Sequence, residues 1–190
     1  MTISVSLTDG VVLRPLEIDD APALLDAYLR SREHLQPWDP ARPEEFWTLA
    51  RQRNRLADMV RQMADGTLLA CAMVRDDRVL GCATLSGIVR GPFCSASLGY
   101  WVDPAETGRG LAGRAVAAIC TIADQNLGLH RIQASTNPRN TASQRVLIKT
   151  GFEQWGTARQ YIHIDGRWQD SHLYQLILND RPPGSTAPGI

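Results

Sequence analysis

Hydrophobic and polar positions divide this chain into a series of short, well-marked elements. Val11, Val12 and Leu13 begin an apolar run over 11–16 that Pro15 brings to a close, a first strand. Asp19-Asp20-Ala21-Pro22 then carries helix-start chemistry, and Leu24, Leu25, Tyr28 and Leu29 fall on one helical face. Pro37, Pro40 and Pro43 break the pattern into a loop around Trp38. Helical spacing resumes over 44–64, with Phe46, Leu49, Leu56, Met59, Val60 and Met63 on its apolar side and Asp65-Gly66 at its end.

A change of period follows. Runs over 67–74 and 78–88 read as strands joined by a tight Asp76-Asp77 turn, and after Gly91-Pro92 another strand ends at Val102. An Ala-rich helical pattern covers 111–125, a strand covers 130–136, and a short helix over 140–150 is closed by Gly151. Residues 158–164 and 168–178 read as a hairpin about Asp165-Gly166. This order predicts one α/β layer domain with a mixed sheet over residues 1–180. The remainder, 181–190, is rich in Pro, Gly, Ser and Thr and is expected to be a disordered tail.

Composition narrows the class without identifying a function. The 190 residues are 44% hydrophobic and 21% charged, ordinary values for a globular chain. Twenty Lys and Arg balance twenty Asp and Glu, so no whole-molecule field favours nucleic acid or an anionic membrane. Cys71, Cys82, Cys94 and Cys120 show no metal-ligand spacing and are expected to be buried free thiols, which points to a reducing, cytoplasmic compartment. No metal site is expected. No apolar run approaches the length needed to span a bilayer, and the start of the chain lacks signal-peptide character.

Gly108-Arg109-Gly110-Leu111-Ala112-Gly113 carries the most chemistry. It follows the strand Ser97-Leu98-Gly99-Tyr100-Trp101-Val102 across a turn and opens the Ala-rich helix. Glycines permit close approach of the backbone, and the first helical turn presents N–H groups without internal partners at the positive end of the helix dipole. That combination is an anion site suited to a pyrophosphate. The letters also match the GxGxxG dinucleotide fingerprint, but the preceding strand alternates, and the next strand, Arg131-Ile132-Gln133-Ala134-Ser135-Thr136, ends without a ribose-binding carboxylate. A dinucleotide is therefore disfavoured.

In its wider setting the loop resembles the acetyl-CoA pyrophosphate loop of the GNAT N-acetyltransferases. The resemblance rests on Gly99-Tyr100-Trp101-Val102-Asp103-Pro104 with Gly108-Arg109-Gly110-Leu111-Ala112, and on Asn137-Pro138-Arg139-Asn140-Thr141-Ala142-Ser143 with Val146-Leu147 and Lys149-Thr150-Gly151-Phe152. Arg14-Pro15-Leu16, Glu33-His34-Leu35-Gln36-Pro37-Trp38 and Gly166-Arg167-Trp168-Gln169-Asp170 are similar to the RimJ/RimL-type branch, protein N-terminal acetyltransferases associated with ribosomal proteins. It spans about residues 10–178. It implies a GNAT-like single domain, with a central mixed, mostly antiparallel sheet flanked by helices. It also implies acetyl-CoA as donor, with coenzyme A as product. Ala105 stands where the family usually has Gln or Arg, and Leu147 where many members have a tyrosine acid.

Amide formation from a thioester needs a fixed acyl donor, a neutral amine, hydrogen-bond donors for the oxyanion and a proton for the leaving thiolate. Arg109, Gly110, Leu111, Ala112 and Gly113 are expected to cradle the diphosphate through their N–H groups, with the Arg109 side chain at its edge. The resemblance assigns the acetyl carbonyl and pantetheine arm to the backbone of the strand end Tyr100-Trp101-Val102, Trp101 and Val102 foremost, with Gly99 permitting a bulge or splay; the Trp101 ring reads as packing. Ser143 matches the RimL-like serine proton donor, or is a helix serine bonded back to a carbonyl one turn earlier. Asn140 is read both as N-cap and as a contact to the cofactor arm, and Asn137 as such a contact. Tyr161, His163 and Asp165 share one strand face, so His163 and Asp165 are candidate bases or merely an exposed polar face; Glu106 and Glu153 are further candidates.

An α-amine titrates near 7.7–8.0 and a lysine near 10.4, so at pH 7 roughly a tenth of an α-amine is neutral against roughly one lysine in 2,500. That is consistent with the acceptor the resemblance implies, a protein or peptide N-terminus, with a ribosomal protein as one such partner; the enzyme is expected to be a monomer or homodimer. A small amine as acceptor and a non-catalytic acyl-CoA-binding module are the alternatives. The loop 32–43 with Trp38 looks like a substrate-side lid or a core anchor, and Arg51, Arg53, Arg55 and Arg61 form a basic stripe that suits an acidic partner or is a solvated face.

Overall fold

The computed structural model describes residues 3–184. Eight strands form one open sheet in the order β1-β2-β3-β4-β5-β6-β8-β7. They are β1 (Val5–Thr8), β2 (Val11–Pro15), β3 (Leu68–Arg75), β4 (Arg78–Val89), β5 (Ser95–Val102), β6 (Arg131–Thr136), β7 (Glu153–Ile164) and β8 (Arg167–Ile177). The helices are α1 (Ala21–Leu35), α2 (Leu49–Ala64), α3 (Leu111–Gln125) and α4 (Thr141–Lys149). All neighbours pair antiparallel except β5 and β6, which α3 connects in parallel. The mixed, mostly antiparallel α/β sheet flanked by helices is thus as expected.

Strand alternation sorts the apolar side chains into two layers. Leu69, Cys71 and Met73 of β3 join the core beneath α3 and α4, whereas Leu68, Ala70 and Ala72 join the core beneath α1 and α2. The middle of the sheet is covered on both faces, and the central strands accordingly read as continuous apolar runs rather than clean alternation. On α3, Ala115, Val116, Ile119, Cys120, Ile122 and Ala123 are buried at helical spacing. Asp76 and Asp77 both adopt positive φ, 46° and 61°, the primed-turn geometry that suits a two-residue hairpin.

Several elements differ from expectation. The helix anticipated over 44–64 divides at Thr48, which is extended (φ −112°, ψ 147°) and accepts from the Arg51 N–H at 3.2 Å. Its hydroxyl caps α2 and leaves Glu44–Trp47 as a separate 3-10 turn. On that helix Gln52 rather than an aliphatic residue shares the buried face with Leu56; its amide donates to the Phe46 carbonyl at 2.6 Å. Strand β1 was not anticipated, being four residues long and half polar. Strand β7 begins at Glu153 rather than 158, because its first residues are polar and exposed and its ladder shifts between Ala158 and Ile162. Arg181 is tied to α3 through the Asp124 carboxylate at 2.5 Å; the expected tail beyond 184 lies outside the described residues.

Candidate functional site

Strands β5 and β6 pair only from Ser95↔Arg131 to Leu98↔Ala134. Beyond that point β5 runs on to Val102 along β4, and β6 runs on to Thr136 along β8. The two strands therefore part at Gly99 and leave a wedge in the sheet. On the β4 side the approach is close: a Cβ at Gly81 would stand 2.3 Å from the Trp101 carbonyl oxygen. The Asp103 N–H also points that way, donating to the Leu80 carbonyl at 2.7 Å. Alternation then turns the N–H and C=O groups of Tyr100 and Val102 away from β4 and toward the wedge, while those of Trp101 face β4. Gly99 was expected to permit this splay, and the pairing does end there.

A pinned turn connects the wedge to the glycine loop. The buried Asp103 carboxylate accepts from the Ala105 N–H at 3.0 Å, from Arg30 Nε at 3.0 Å and from Arg78 at 3.3 Å. Burial pushes its pKa up, but the Ala105 N–H and the two guanidinium groups outweigh that and hold it below the ordinary carboxylate value. Glu106, also buried, pairs with Arg75 at 3.1 Å and with the mostly exposed Arg109 at 3.4 Å. Ion-paired to two arginines, Glu106 is committed to holding the loop.

Gly108 and Gly110 then take φ of 77° and 78°, conformations that L side chains rarely adopt. Gly110 is the N-cap of α3 and offers no side-chain cap. The first bond of the helix runs from the Arg114 N–H to the Gly110 carbonyl, so nothing within α3 accepts from the N–H groups of Leu111, Ala112 and Gly113. The Leu111 side chain is buried in the core and anchors the turn. A Cβ built on Gly108, Gly110 or Gly113 meets nothing within 4 Å, so open space lies over the loop. Uncapped donors, a helix dipole and glycine-cleared space fit the diphosphate of acetyl-CoA.

Helix α4 stands on the same side of the sheet as α3. Its N-cap Asn140 accepts from the Ser143 N–H at 3.0 Å, as the capping reading expected. The Ser143 hydroxyl lies 2.9 Å from the Tyr100 hydroxyl, which is also 3.1 Å from the Ser143 carbonyl. Ser143 Oγ is thus engaged with Tyr100 rather than with a carbonyl one turn back. Burial pushes the Tyr100 phenol up to about 12. The Tyr100 side chain is the residue that sequence reading missed; its place in an alternating strand shows which face it takes, but nothing in the sequence shows that α4 brings Ser143 to it. Asn137 Oδ1 accepts from the Arg139 N–H at 2.9 Å and its amide donates to Gln169 at 2.5 Å, so this side chain shapes the turn into α4. Leu147 is fully buried.

Trp101 projects from the other face and its ring lies 4.9 Å from that of Tyr28 on α1, a packing role. Phe46 completes this cluster, 5.0 Å from Tyr28. Trp38 in the 32–43 loop is only half-buried, and the buried aromatic here is Phe46, in the 3-10 turn that follows the loop. His163 is exposed against Trp168, and Asp165 sits in the hairpin turn at φ 53°. Strands β6 and β8 lie between β7 and β5 in the sheet. Glu153 is exposed and accepts from Gln175 at 2.9 Å. All four cysteines are free and buried, as expected. Among the described residues no cluster of three or more His, Cys, Asp or Glu is placed to hold a metal ion, and no helix is long and apolar enough to cross a membrane. An open, mostly apolar cavity of about 540 Å³, lined among others by Leu16, Met63, Ile88 and Leu127, lies at the opposite end of α3 from the glycine loop.

A glycine-opened helix terminus set beside a wedge between two parallel strands suits a phosphate-bearing ligand whose arm enters the sheet. Comparison with known proteins makes the class specific. Residues 11–153 match the acetyltransferase (GNAT) domain family, and the chain belongs to it. It is an acetyltransferase, and acetyl-CoA is its donor. It is 34% identical over 171 residues to a probable N-acetyltransferase, YjcK, of Bacillus subtilis, covering 89% of this chain and 94% of that one. It is 33% identical over 179 residues to the [ribosomal protein uS5]-alanine N-acetyltransferase of Escherichia coli, covering 93% and 92%. The solved structure of Mycobacterium smegmatis RimJ in complex with CoA-disulfide superposes with a TM-score of 0.86 at 29% identity, covering 93% of this chain and 86% of that one.

Proposed function

We propose that this enzyme transfers the acetyl group directly to the α-amine at the N-terminus of a protein or peptide. The observation that carries the reading is the near-full-length likeness to a ribosomal-protein alanine N-acetyltransferase, 33% identical over 93% of this chain. The site's charge distribution supports it. Asp103 and Glu106, the buried carboxylates nearest the wedge in sequence, are both committed to arginines, so neither is free to act as a base for a lysine. An α-amine, about a tenth neutral at pH 7, needs no more than water to carry its proton away.

Acetyl-CoA supplies an activated carbonyl and a thiolate leaving group. The N–H groups of Leu111, Ala112 and Gly113, with Gly110 clearing the approach and Arg109 at the rim, hold the diphosphate. Val102 and Tyr100 offer backbone donors in the wedge to the acyl carbonyl and the pantetheine arm. Trp101 shapes the opposite wall, and Asn137 and Asn140 set the turn that lines the arm. Ser143 carries the proton for the leaving sulfur at Oγ. When the Tyr100 hydroxyl donates to Ser143 Oγ, the serine keeps its own hydrogen to give. A phenol held protonated by burial is suited to that duty. Four buried free thiols suit a cytoplasmic setting.

A thiol-release assay with N-terminal peptides, lysine peptides and small amines tests the acceptor, with mass spectrometry locating the acetyl group. Peptides with a free α-amine are expected to show the highest kcat/KM, and blocking that amine should abolish turnover. A polyamine or aminoglycoside acetylated faster than every peptide would overturn the reading.

A further inference from the structure

The sequence set four arginines along α2, and the structure singles out one of them. Arg51 and Arg53 are exposed and Arg61 pairs with Asp58. Arg55 instead turns inward, half-buried, with its guanidinium 5.3 Å from the ring centres of both Tyr28 and Phe46. It donates to Gln52 Oε1 at 2.8 Å and to the Tyr28 hydroxyl at 3.1 Å, both neutral groups. Gln52 is itself fully buried and fixed by the Phe46 carbonyl. A guanidinium has five N–H donors, so most of its capacity remains after these two bonds. Among the described residues no carboxylate pairs with Arg55.

Its neighbours differ. Arg42 stacks on Phe46 at 4.8 Å but is paired with Asp39, and Arg32 stacks on Trp47 at 4.4 Å but is paired with Glu44. Arg32 and Arg42 are therefore neutralised, whereas Arg55 on α2 has no carboxylate partner among the described residues. Arg55 is also tied to the wedge, because the Tyr28 ring it rests on is the ring that packs against Trp101. Tyr100 and Trp101 alternate across β5, so Ser143 serves the leaving-group face and Arg55 the opposite face. The Tyr28–Phe46–Arg55 cluster thus stands with Trp101 on the face away from Ser143, the side left for an amine that attacks a face of the acyl carbonyl.

Building on the acceptor reading above, we propose that Arg55 is a specificity-determining residue that selects acceptor amines carrying a carboxylate close by, namely peptides with Asp or Glu within the first few residues. An extended peptide advances about 3.3 Å per residue, so a side chain at positions two to four spans the two ring contacts between Trp101 and the guanidinium. The ring-held, hydrogen-bonded guanidinium loses little further freedom when it forks a carboxylate.

Paired peptides differing only by Glu or Gln at positions two, three or four, together with free amino acids, are assayed by thiol release on the full chain, alongside Arg55→Gln and Arg55→Lys. The wild type is expected to prefer one Glu peptide over its Gln twin by about tenfold in kcat/KM, expressed in KM, as one charge-assisted contact implies. That ratio should collapse in Arg55→Gln and fall part-way in Arg55→Lys; acetyl-CoA binding and the melting temperature report whether each variant is folded. No Glu preference, or an equal preference in wild type and a folded Arg55→Gln, overturns the proposal while leaving α-amine transfer intact. A preference confined to free amino acids overturns the peptide assignment. If no peptide is acetylated at all, the acceptor reading fails and this one with it.

Discussion

Tyr100 Oη lies 2.9 Å from Ser143 Oγ, joining the splayed strand to the first turn of α4. Two groups 43 positions apart thereby share one proton-bearing contact at the edge of the wedge. If the pair works as a unit, Tyr100→Phe and Ser143→Ala should each lower kcat about 10- to 100-fold, and the double variant should cost little more than the worse single one. Acetyl-CoA affinity should change by less than about threefold in both. Additive losses, or a Tyr100→Phe enzyme with the wild-type kcat, would remove Tyr100 from the proton path.

Gly110→Glu tests the glycine loop. The residue takes φ 78°, so any side chain strains the turn, and a carboxylate there competes with a diphosphate for the N–H groups of Leu111, Ala112 and Gly113. Acetyl-CoA affinity is expected to fall at least about 100-fold by titration calorimetry. Ala117→Glu, exposed two turns further along α3, should bind as wild type does. Equal affinity of all three proteins would place the diphosphate elsewhere.

Much of this loop was legible beforehand, because glycine spacing at the start of an apolar helix dictates both the backbone conformation and the uncapped donors. The resemblance, with a glycine at position 99, likewise suggested a bulge or splay in this strand, and the pairing with β6 stops at Leu98. What the sequence hid were relationships set by tertiary contact. The Asp103 clamp needs Arg30 from α1 and Arg78 from β4, which no local pattern connects. Thr48 looked like one more residue of a long helix until its hydroxyl was seen capping a new one. The inward turn of Arg55 depends on Tyr28 and Phe46 arriving from two other segments.

Gly81 sets the height of the wedge wall. With a Cβ there 2.3 Å from the Trp101 oxygen and 2.9 Å from Val102 Cα, β4 and β5 must separate to accept any side chain. Both contacts are backbone atoms and cannot rotate away. Gly81→Ala should destabilise the fold by about 1–3 kcal/mol, an overpacking cost that corresponds to several degrees in Tm. Because Val102 moves with the wall, acetyl-CoA KM should rise as well. A melting curve and a KM both unchanged would show that the strands are not in tight contact.

Asp103 gives the turn below the wedge a dependence on pH whose sign follows from its neighbours. Its folded-state pKa is held below the ordinary value near 3.9, burial being outweighed by the Ala105 N–H, Arg30 and Arg78. A carboxylate depressed on folding contributes stability that is full above its unfolded pKa and is lost as the pH falls through the folded one. Asp20, depressed despite burial by Arg14 and the Glu17 N–H, acts in the same window. Melting temperature should therefore hold from neutral pH to about pH 5 and fall below about pH 4. Asp103→Asn keeps the shape but removes the charge that both arginines need. It should melt lower at pH 7, and its melting temperature should decline less steeply on acidification than that of the wild type. Since the same carboxylate pins the turn that aims the glycine loop, acetyl-CoA affinity should weaken in this variant even at neutral pH. Parallel melting profiles from pH 7 to pH 3 would show that the clamp carries no net charge stabilisation.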